Sequence, residues 1–190
     1  LQRMSGVATL TRRCVEAVRG SECVIQDTRK TLPGWRYLDK YAVRMGGGSN
    51  HRMGLHDQVL IKDNHLRLCA IASEDPAEAV VLAVRKARAG APASVEIEVD
   101  CETPGQVEAA VRAEADIVML DNMDRETMRR CAQRVRQARA SRGAGRPVTE
   151  ASGGIALKDL PGVAATGVDR ISIGALTHSA PALDIGLDFD

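Results

Sequence analysis

Short apolar runs alternate with amphipathic patterns of helical spacing from Glu22 onward. Each run is rich in Val and Ile and ends in polar residues or glycine. No run alternates between apolar and polar residues along its whole length, which is typical of strands covered on both faces. The runs lie at residues 23–26, 58–61, 95–99, 117–120, 147–149 and 170–173. The pattern therefore predicts a set of short, buried strands.

Helix signals fill the segments between these runs. Asp75-Pro76-Ala77-Glu78 offers a capping side chain and then a proline at the first helical position, and Thr103-Pro104-Gly105-Gln106 repeats this arrangement. Apolar residues recur at a spacing of about 3.6 over residues 1–19 and 124–141. We expect a helix in each of these places.

A further helix is predicted over residues 33–45, where Gly46 suits the position just past the helix end. Its apolar residues have helical spacing, so we expect them to be buried: Trp35, Leu38, Ala42 and Met45. The cations of the same segment are expected on its solvated face: Arg36, Lys40 and Arg44.

Alternating strands and helices predict a parallel sheet with right-handed crossovers. The strands fit either an open doubly wound sheet or most of a barrel. Polar residues or glycines follow all six runs, as on the working face of an α/β barrel, whereas an open sheet concentrates them at one switch point. We therefore predict an α/β fold, an incomplete (open) barrel of about six or seven parallel strands.

Composition narrows the class of protein. The 190 residues carry a net charge of +1 with 2% aromatic residues, which argues against a nucleic-acid or membrane partner. No apolar stretch approaches the roughly 18 residues that cross a bilayer. The five cysteines are scattered and odd in number, which favours reduced thiols in a cytoplasmic setting.

The chain begins with Leu1 rather than Met and shows no leader pattern, so we expect natural sequence upstream. The predicted organisation is a linker helix from an upstream domain over residues 1–20 and a catalytic barrel domain over residues 21–190.

Cations concentrate in residues 27–67, which hold eight Lys or Arg against four Asp. Four of them lie in or next to predicted strand ends: Arg29, Lys30, Arg52 and Lys62. Lys62 directly follows an apolar run, a context that requires a partner. The cluster predicts a pocket for a highly anionic ligand, since guanidinium groups bind carboxylates and phosphates. The alternative is solvated charge with one internal ion pair.

Two glycine-rich segments and two carboxylates add candidate chemistry. The loop at residues 46–52 lacks a nucleotide-binding fingerprint, and its His51 is either a ligand-binding donor or a surface histidine. Ser152-Gly153-Gly154 and Gly174 follow late strands, where barrels bind phosphate, although each alone also suits a tight turn.

Glu98 and Asp121 are acids at consecutive strand ends. They suit a divalent metal with sugar hydroxyls, or the stabilisation of developing positive charge. The alternative is internal ion pairing with Lys62 and Arg29. A zinc site is not expected, because the histidines lack ligand spacing.

Several strings together resemble one family. Residues 27–34 (DTRKTLPG), 40–44 (KYAVR), 46–55 (GGGSNHRMGL) and 60–65 (LIKDNH) closely resemble quinolinate phosphoribosyltransferase. Residues 96–100 (EIEVD), 120–123 (LDNM), 150–155 (EASGGI) and 173–178 (IGALTH) match the same family in the same order. The resemblance covers nearly the whole chain.

The resemblance implies a type II phosphoribosyltransferase-like barrel and a pentosyltransferase activity. The enzyme would transfer the phosphoribosyl group of phosphoribosyl pyrophosphate to quinolinate with decarboxylation, giving nicotinate mononucleotide, CO₂ and pyrophosphate in de novo NAD biosynthesis. It would use Mg²⁺ and act as a cytoplasmic homodimer whose site is completed by the neighbouring subunit. Members of the family carry an upstream domain that supplies an arginine to that neighbouring site.

The resemblance also implies roles for particular residues. Quinolinate would be bound by Arg29, His51, Arg52 and Lys62. Phosphoribosyl pyrophosphate would be bound by Thr28, Lys30, Glu98, Asp121, Ser152, Gly153, Gly154, Ile173, Gly174 and Ala175. Lys62, Glu98 and Asp121 would be catalytic, with Glu98 and Asp121 also holding Mg²⁺, directly or through water.

Three alternatives stay open at this point. A paralogue would act on another pyridine or purine-like acid. A non-catalytic module would bind anions or pair with another chain without turnover. A barrel lyase or aldolase would use Lys62 as a Schiff-base nucleophile.

Overall fold

A computed structural model of the chain describes residues 1–71, 75–142 and 147–188. In chain order, its elements are α1 (Gln2–Ala17), β1 (Val24–Gln26), α2 (Arg36–Met45), β2 (Gln58–Ile61), α3 (Asp63–Ala70), α4 (Pro76–Gly90), β3 (Glu96–Cys101), α5 (Pro104–Arg112), β4 (Ile117–Asp121), α6 (Arg125–Arg142), β5 (Val148–Ser152), α7 (Leu160–Ala164), β6 (Arg170–Ser172) and α8 (Ala175–His178). A short 3₁₀ helix, Leu157–Asp159, precedes α7.

The strands of the described residues form one parallel sheet in the order β1–β6–β5–β4–β3–β2. From β2 to β6 each strand pairs with the next strand along the chain, and β1 closes back onto β6. This is the strand order of a barrel that stays open because β1 and β2 do not pair with each other. The predicted open α/β barrel is confirmed, and each strand ends within three residues of its predicted limits.

The loop after α2 partly fills the gap between β1 and β2, which we call the seam. Ser49 forms an isolated parallel bridge with Gln26, and its N–H donates to the carbonyl of Ile25 over 2.8 Å. The Arg52 guanidinium reaches the opposite edge, where Nη1 donates to the carbonyl of Gln58 over 3.0 Å. A loop and one side chain therefore stand where a closed barrel has direct strand pairing.

The apolar core lies between the sheet and its surrounding helices. Ile97, Leu120 and Ile171 are fully buried in this core, and α4 packs against β2 and β3 with an apolar stripe that includes Val80. The predicted helix starts are present. Asp75 accepts a hydrogen bond from the N–H of Ala77, and Thr103 forms a capping box with Gln106.

The first helix is part of the helical layer around the barrel. Its predicted apolar stripe is buried at Val7, Thr11 and Cys14, and α1 packs against α2, β1 and α8. The segment that the sequence separates as a linker therefore packs against the barrel along its length.

The prediction that Trp35, Leu38 and Met45 are buried is wrong. These side chains are 39%, 43% and 58% exposed, whereas Lys40, expected in solvent, is 1% exposed. The inward face of α2 buries two charged residues beside Ala42 and Val43, because Asp39 accepts two hydrogen bonds from Arg3 and Lys40 pairs with Asp27. Buried ion pairs thus override the apolar periodicity of this helix.

Within the described residues, none of the helices has the length and apolar character needed to cross a membrane. Cys14, Cys101 and Cys131 are buried free thiols.

The capping box at the start of α5 yields a test of local stability. Replacing Thr103 with Ala removes the acceptor for the Gln106 N–H, so we expect the free energy of unfolding to fall by about 1 kcal/mol. Urea denaturation measures this difference. Thr103→Ser keeps the hydroxyl acceptor and serves as control, and equal stability of Thr103→Ala and wild type would show that the cap contributes nothing.

Candidate active site

The carboxyl ends of the strands surround a cavity of about 730 Å³. Thr28 follows β1 and Lys62 follows β2, so residues from both unpaired edges line the same space and the sheet curls around it. The predicted site residues that line the cavity are Thr28, Arg29, Lys30, His51, Arg52, Lys62, Asp121, Ser152, Gly153, Gly154, Ile173, Gly174 and Ala175. Among the predicted site residues, Glu98 alone does not line it.

Two arginines give the cavity its positive wall. Burial lowers the pKa of Arg52, and the neighbouring charge of Arg29 lowers it further. The Nε of Arg29 is buried without a hydrogen-bond partner among the described residues. A buried donor beside a second cation favours an anionic ligand, because a carboxylate or phosphate satisfies both the hydrogen bond and the charge.

The loop that carries Arg29 and Lys30 is held at several points. The hydroxyl of Thr177 donates to the carbonyl of Lys30 over 2.7 Å, and the N–H of Lys30 donates to the hydroxyl of Thr28 over 3.1 Å. Asp39 accepts a hydrogen bond from the N–H of Leu32 over 3.2 Å. The Lys30 side chain remains exposed at the cavity entrance, where it can meet a solvated anion.

The turn after β5 offers backbone rather than side chains. Gly153 and Gly154 have φ values of 98° and 58°, in the left-handed region. A Cβ on Gly153 would lie 2.3 Å from Oδ1 of Asn122, so a side chain does not fit there. Bare backbone N–H groups in such a turn suit phosphate oxygens. Gly174 and Ala175 line the same cavity after the neighbouring strand.

The expected position of Glu98 at the cavity is wrong. Its side chain is fully buried, and Oε2 accepts a hydrogen bond from the amide of Gln58 over 2.9 Å. Side chains two residues apart on a strand share a face. Asp100, one step closer to the carboxyl end on that face, lines the cavity instead. Asp100 is not among the predicted site residues, although strand alternation from Glu98 leads to it.

Asp100 and Asp121 form an acidic wall of the same cavity. Burial raises the pKa of Asp100 to about 6, and the charge of Asp121 contributes to the increase. Lys62 is half exposed and lies 3.5 Å from Asp100 Oδ2, while Oδ1 is buried without a partner among the described residues. Two neighbouring carboxylates with an unsatisfied oxygen are a suitable donor set for a hard divalent cation.

His51, Glu98 and Glu150 form a second polar group on the cavity floor, which we call the floor trio. The ring Nε2 lies 3.1 Å from Glu98 and 3.5 Å from Glu150, and Ser172 donates to Glu150 over 2.5 Å. The donor atoms lie within 4.8 Å of one another, as in a metal site. However, Nδ1 accepts the N–H of Arg52 over 2.7 Å, so Nε2 carries the ring hydrogen and is a donor. The floor trio is therefore a hydrogen-bonded network. The sequence analysis did not identify Glu150.

The floor trio retains a proton at neutral pH. Burial by itself lowers the pKa of His51, but the hydrogen bonds to Glu150 and Glu98 outweigh burial and raise it to about 10. Burial, together with the charge of Glu150, raises the pKa of Glu98 to about 7. Both directions mean that the three groups together bind one more proton than isolated groups would. Because Nδ1 accepts a hydrogen bond and Nε2 already carries the ring hydrogen, the additional proton belongs to the carboxylate pair Glu98 and Glu150.

The raised pKa of His51 predicts a pH dependence of stability. Its contribution is fully present below the ordinary value of 6.5 and is lost as pH rises towards 10, because the folded state then binds more protons than the unfolded state. We expect the free energy of unfolding to fall more steeply over this range in wild type than in His51→Gln. Denaturant titrations at several pH values measure the slopes. His56→Gln changes an exposed histidine and should keep the wild-type slope, and identical slopes in all three proteins would contradict the assignment.

Comparisons with known proteins find the same family in sequence and in structure. The family model "Quinolinate phosphoribosyl transferase, C-terminal domain" matches residues 7–188. A probable nicotinate-nucleotide pyrophosphorylase [carboxylating] of Bacillus subtilis (strain 168) is 46% identical over 99% of this chain and 60% of its own length. The nicotinate-nucleotide pyrophosphorylase [carboxylating] of Mycobacterium leprae is 47% identical over 97% of this chain and 60% of its own length.

Among solved structures, the nicotinate-nucleotide pyrophosphorylase of Ehrlichia chaffeensis superposes with a TM-score of 0.86 at 37% identity, covering 99% of this chain and 62% of that one. The chain thus spans about 60% of the length of the relatives that it matches.

Proposed function

The chain belongs to the quinolinate phosphoribosyl transferase family, whose C-terminal domain it matches, and from this premise we propose that the protein is a pentosyltransferase acting on quinolinate. It transfers the phosphoribosyl group from phosphoribosyl pyrophosphate, with decarboxylation, to give nicotinate mononucleotide, CO₂ and pyrophosphate for NAD biosynthesis. One observation carries the proposal: the cavity joins a cationic wall to an acidic wall. The cationic wall suits a dicarboxylate acceptor and a polyphosphate donor, and the acidic wall suits the positive charge that develops on the ribose.

In this proposal the acceptor lies deep in the cavity. Arg29, Arg52 and Lys62 bind its two carboxylates, since all three line the cavity and Arg29 has an unused buried donor. His51 contributes the face of its ring to the wall of this subsite, because both ring nitrogens are already engaged within the protein.

The phosphoribosyl donor lies across the carboxyl ends of the strands. Lys30 and Thr28 face its phosphates on one side, and Asp121 faces the ribose. The backbone of the turns after β5 and β6 binds the 5-phosphate. The residues of these turns that line the cavity are Ser152, Gly153, Gly154, Ile173, Gly174 and Ala175.

The chemistry divides between the two walls. When the C1–O bond to pyrophosphate breaks, positive charge develops on the ribose and the carboxylates of Asp100 and Asp121 stabilise it, as carboxylates do in glycoside hydrolysis. The ring nitrogen then bonds to C1. Loss of the adjacent carboxylate as CO₂ leaves an electron pair on the ring carbon, which takes a proton. Arg29 and Arg52 keep this part of the site cationic and poorly hydrated throughout.

Magnesium fits the same acidic wall. Asp100, with its unsatisfied buried Oδ1, and Asp121 would hold the ion, in place of the pair Glu98 and Asp121. Mg²⁺ bound there would neutralise charge on the pyrophosphate leaving group.

We further propose a cytoplasmic homodimer whose site is completed by the neighbouring subunit. Large apolar side chains on and near α2 are exposed and support an interface there: Leu32, Trp35, Leu38, Tyr41 and Met45. The free thiols of Cys14, Cys101 and Cys131 support a reducing compartment.

Replacement of Arg52 tests the acceptor subsite. Arg52→Ala removes a charge-assisted pair in a desolvated site. We therefore expect kcat/KM for quinolinate to fall roughly a hundredfold, which is a loss of about 3 kcal/mol in transition-state stabilisation. Pyrophosphate release by the protein at its full natural length measures this, with nicotinate as the competing acceptor. Arg112→Ala, which changes an exposed arginine paired with Glu78, is the control. Full activity of Arg52→Ala would refute the assignment.

Variants of the two acids on β3, Asp100 and Glu98, test which of them is the proposed metal ligand. Asp100→Asn removes a ligand, so we expect the Mg²⁺ concentration for half-maximal activity to rise roughly tenfold or more. Glu98→Gln alters a side chain that does not line the cavity and should shift this concentration much less. A larger shift in Glu98→Gln than in Asp100→Asn would restore the assignment made from the sequence.

A further inference from the structure

A buried polar cluster joins the two loops that carry the cavity arginines; we call it the seam cluster, and it consists of Asp27, Lys40 and Asn50. Lys40 Nζ donates to Asp27 Oδ1 over 2.5 Å, and Asn50 Nδ2 donates to Asp27 Oδ2 over 2.6 Å. The side chains of Lys40 and Asp27 are 1% and 0% exposed. Asn50 Nδ2 also donates to the carbonyl of Lys40 over 2.9 Å, so all three residues are cross-linked.

The seam cluster takes over hydrogen bonds that a neighbouring strand would otherwise make. The N–H of His51 donates to Asp27 over 2.8 Å, and the carbonyl of His51 accepts from Lys40 over 3.0 Å. In a closed barrel such backbone groups pair with the backbone of the next strand. Here side chains satisfy them, because β1 and β2 are not adjacent in the sheet.

This arrangement links the position of one arginine to that of the other. Asp27 lies two residues before Arg29, and His51 directly precedes Arg52. Each contact of Asp27 with the His51 segment therefore constrains where the two guanidinium groups stand relative to each other. No strand register spans the seam. The two loops are held instead by the Ser49 bridge to Gln26, by the bonds of Arg36 to the carbonyls of Arg29 and Met53, and by the buried side-chain contacts of this cluster.

We propose that Asp27, Lys40 and Asn50 are positioning residues that set the separation of Arg29 and Arg52 and so select acceptors with two adjacent carboxylates over acceptors with one. The inference rests on the proposed function, since it takes a pyridine dicarboxylate as the ligand. A monocarboxylate engages one guanidinium well whatever the spacing, whereas a rigid dicarboxylate is bound tightly only if both guanidinium groups are correctly placed.

Stability alone gives little reason for such a pair. Burial raises the pKa of Asp27 even though Lys40, His51 and Asn50 oppose the increase, so removing the charge from water outweighs the pairing. Neutral residues of similar volume often replace a buried ion pair with no loss of stability. We therefore expect a neutral replacement of the pair to fold, and the bonds of Asp27 and Lys40 to the His51 backbone are what distinguish the native pair.

The test uses a neutral double variant of the protein at its full natural length. Asp27→Asn with Lys40→Met removes both charges together and leaves no unpaired ion. Calorimetry measures the dissociation constants of quinolinate and nicotinate, and thermal denaturation measures folding. We expect the variant to unfold cooperatively, and the preference for quinolinate over nicotinate to fall about tenfold or more.

A matched control removes an ion pair far from the cavity. Arg139 and Asp169 pair at the amino ends of β5 and β6, where Asp169 also accepts the N–H of Thr149. Arg139→Met with Asp169→Asn should alter stability and leave the ligand preference at its wild-type value. A fall in preference as large as that of the seam variant would show a general effect of lost stability and would overturn the inference.

The remaining outcomes are also decisive. If the double variant Asp27→Asn with Lys40→Met folds and keeps the wild-type preference for quinolinate, the inference is overturned. If the double variant does not fold, Asn50→Ala decides, because it removes two hydrogen bonds and leaves Asp27 paired with Lys40. We expect the preference to fall about threefold, and an unchanged preference overturns the inference. Wild-type protein that binds neither acceptor would contradict the proposed function itself.

Discussion

The fold depends on how it satisfies the backbone where the barrel is open. Every buried N–H and carbonyl needs a partner, and the strands on either side of the seam lack one another. The protein meets this requirement with the bridge of Ser49 to β1, with the Arg52 contact to β2 and with the charged side chains of Asp27 and Lys40. The incomplete barrel therefore places polar chemistry at its open side, and that chemistry adjoins the cavity.

The inward face of the sheet is organised in layers by strand alternation. On β3, Glu98 lies in a deep layer and Asp100 in an upper layer, because side chains two residues apart share a face and differ in depth. The deep layer is linked by the contacts of the floor trio, although Glu98 Oε1 and Glu150 Oε2, like Asp100 Oδ1 in the upper layer, keep no partner among the described residues. This difference in depth accounts for why Asp100 lines the cavity and Glu98 does not.

The sequence predicted the parts of the molecule that depend on local pattern. Strand positions, helix starts at Asp75 and Thr103 and the polar carboxyl ends follow from periodicity and capping, which a few neighbouring residues determine. The burial of Lys40 and the exposure of Trp35 did not follow, because they depend on Asp27 and Arg3, which are distant along the chain. Glu150 escaped notice for the same reason, since its meaning comes from His51 across the barrel. Long-range ion pairing is invisible to a reading based on periodicity.

The cavity holds like charges close together, and this has an energetic consequence. Arg29 lowers the pKa of Arg52, and Asp121 raises that of Asp100, so each wall contains a repulsion that the folded protein must tolerate. Hydrogen bonds inside the chain do not fully offset the repulsion in either wall, since Arg29 Nε and Asp100 Oδ1 keep no partner among the described residues. An anion between the arginines and a cation between the acids would each offset the repulsion of its wall, because each ion adds two attractions to one repulsion. Under the proposed function, relief of this repulsion contributes to the binding energy, so a chain of net charge +1 can still offer strongly charged surfaces to both ligands.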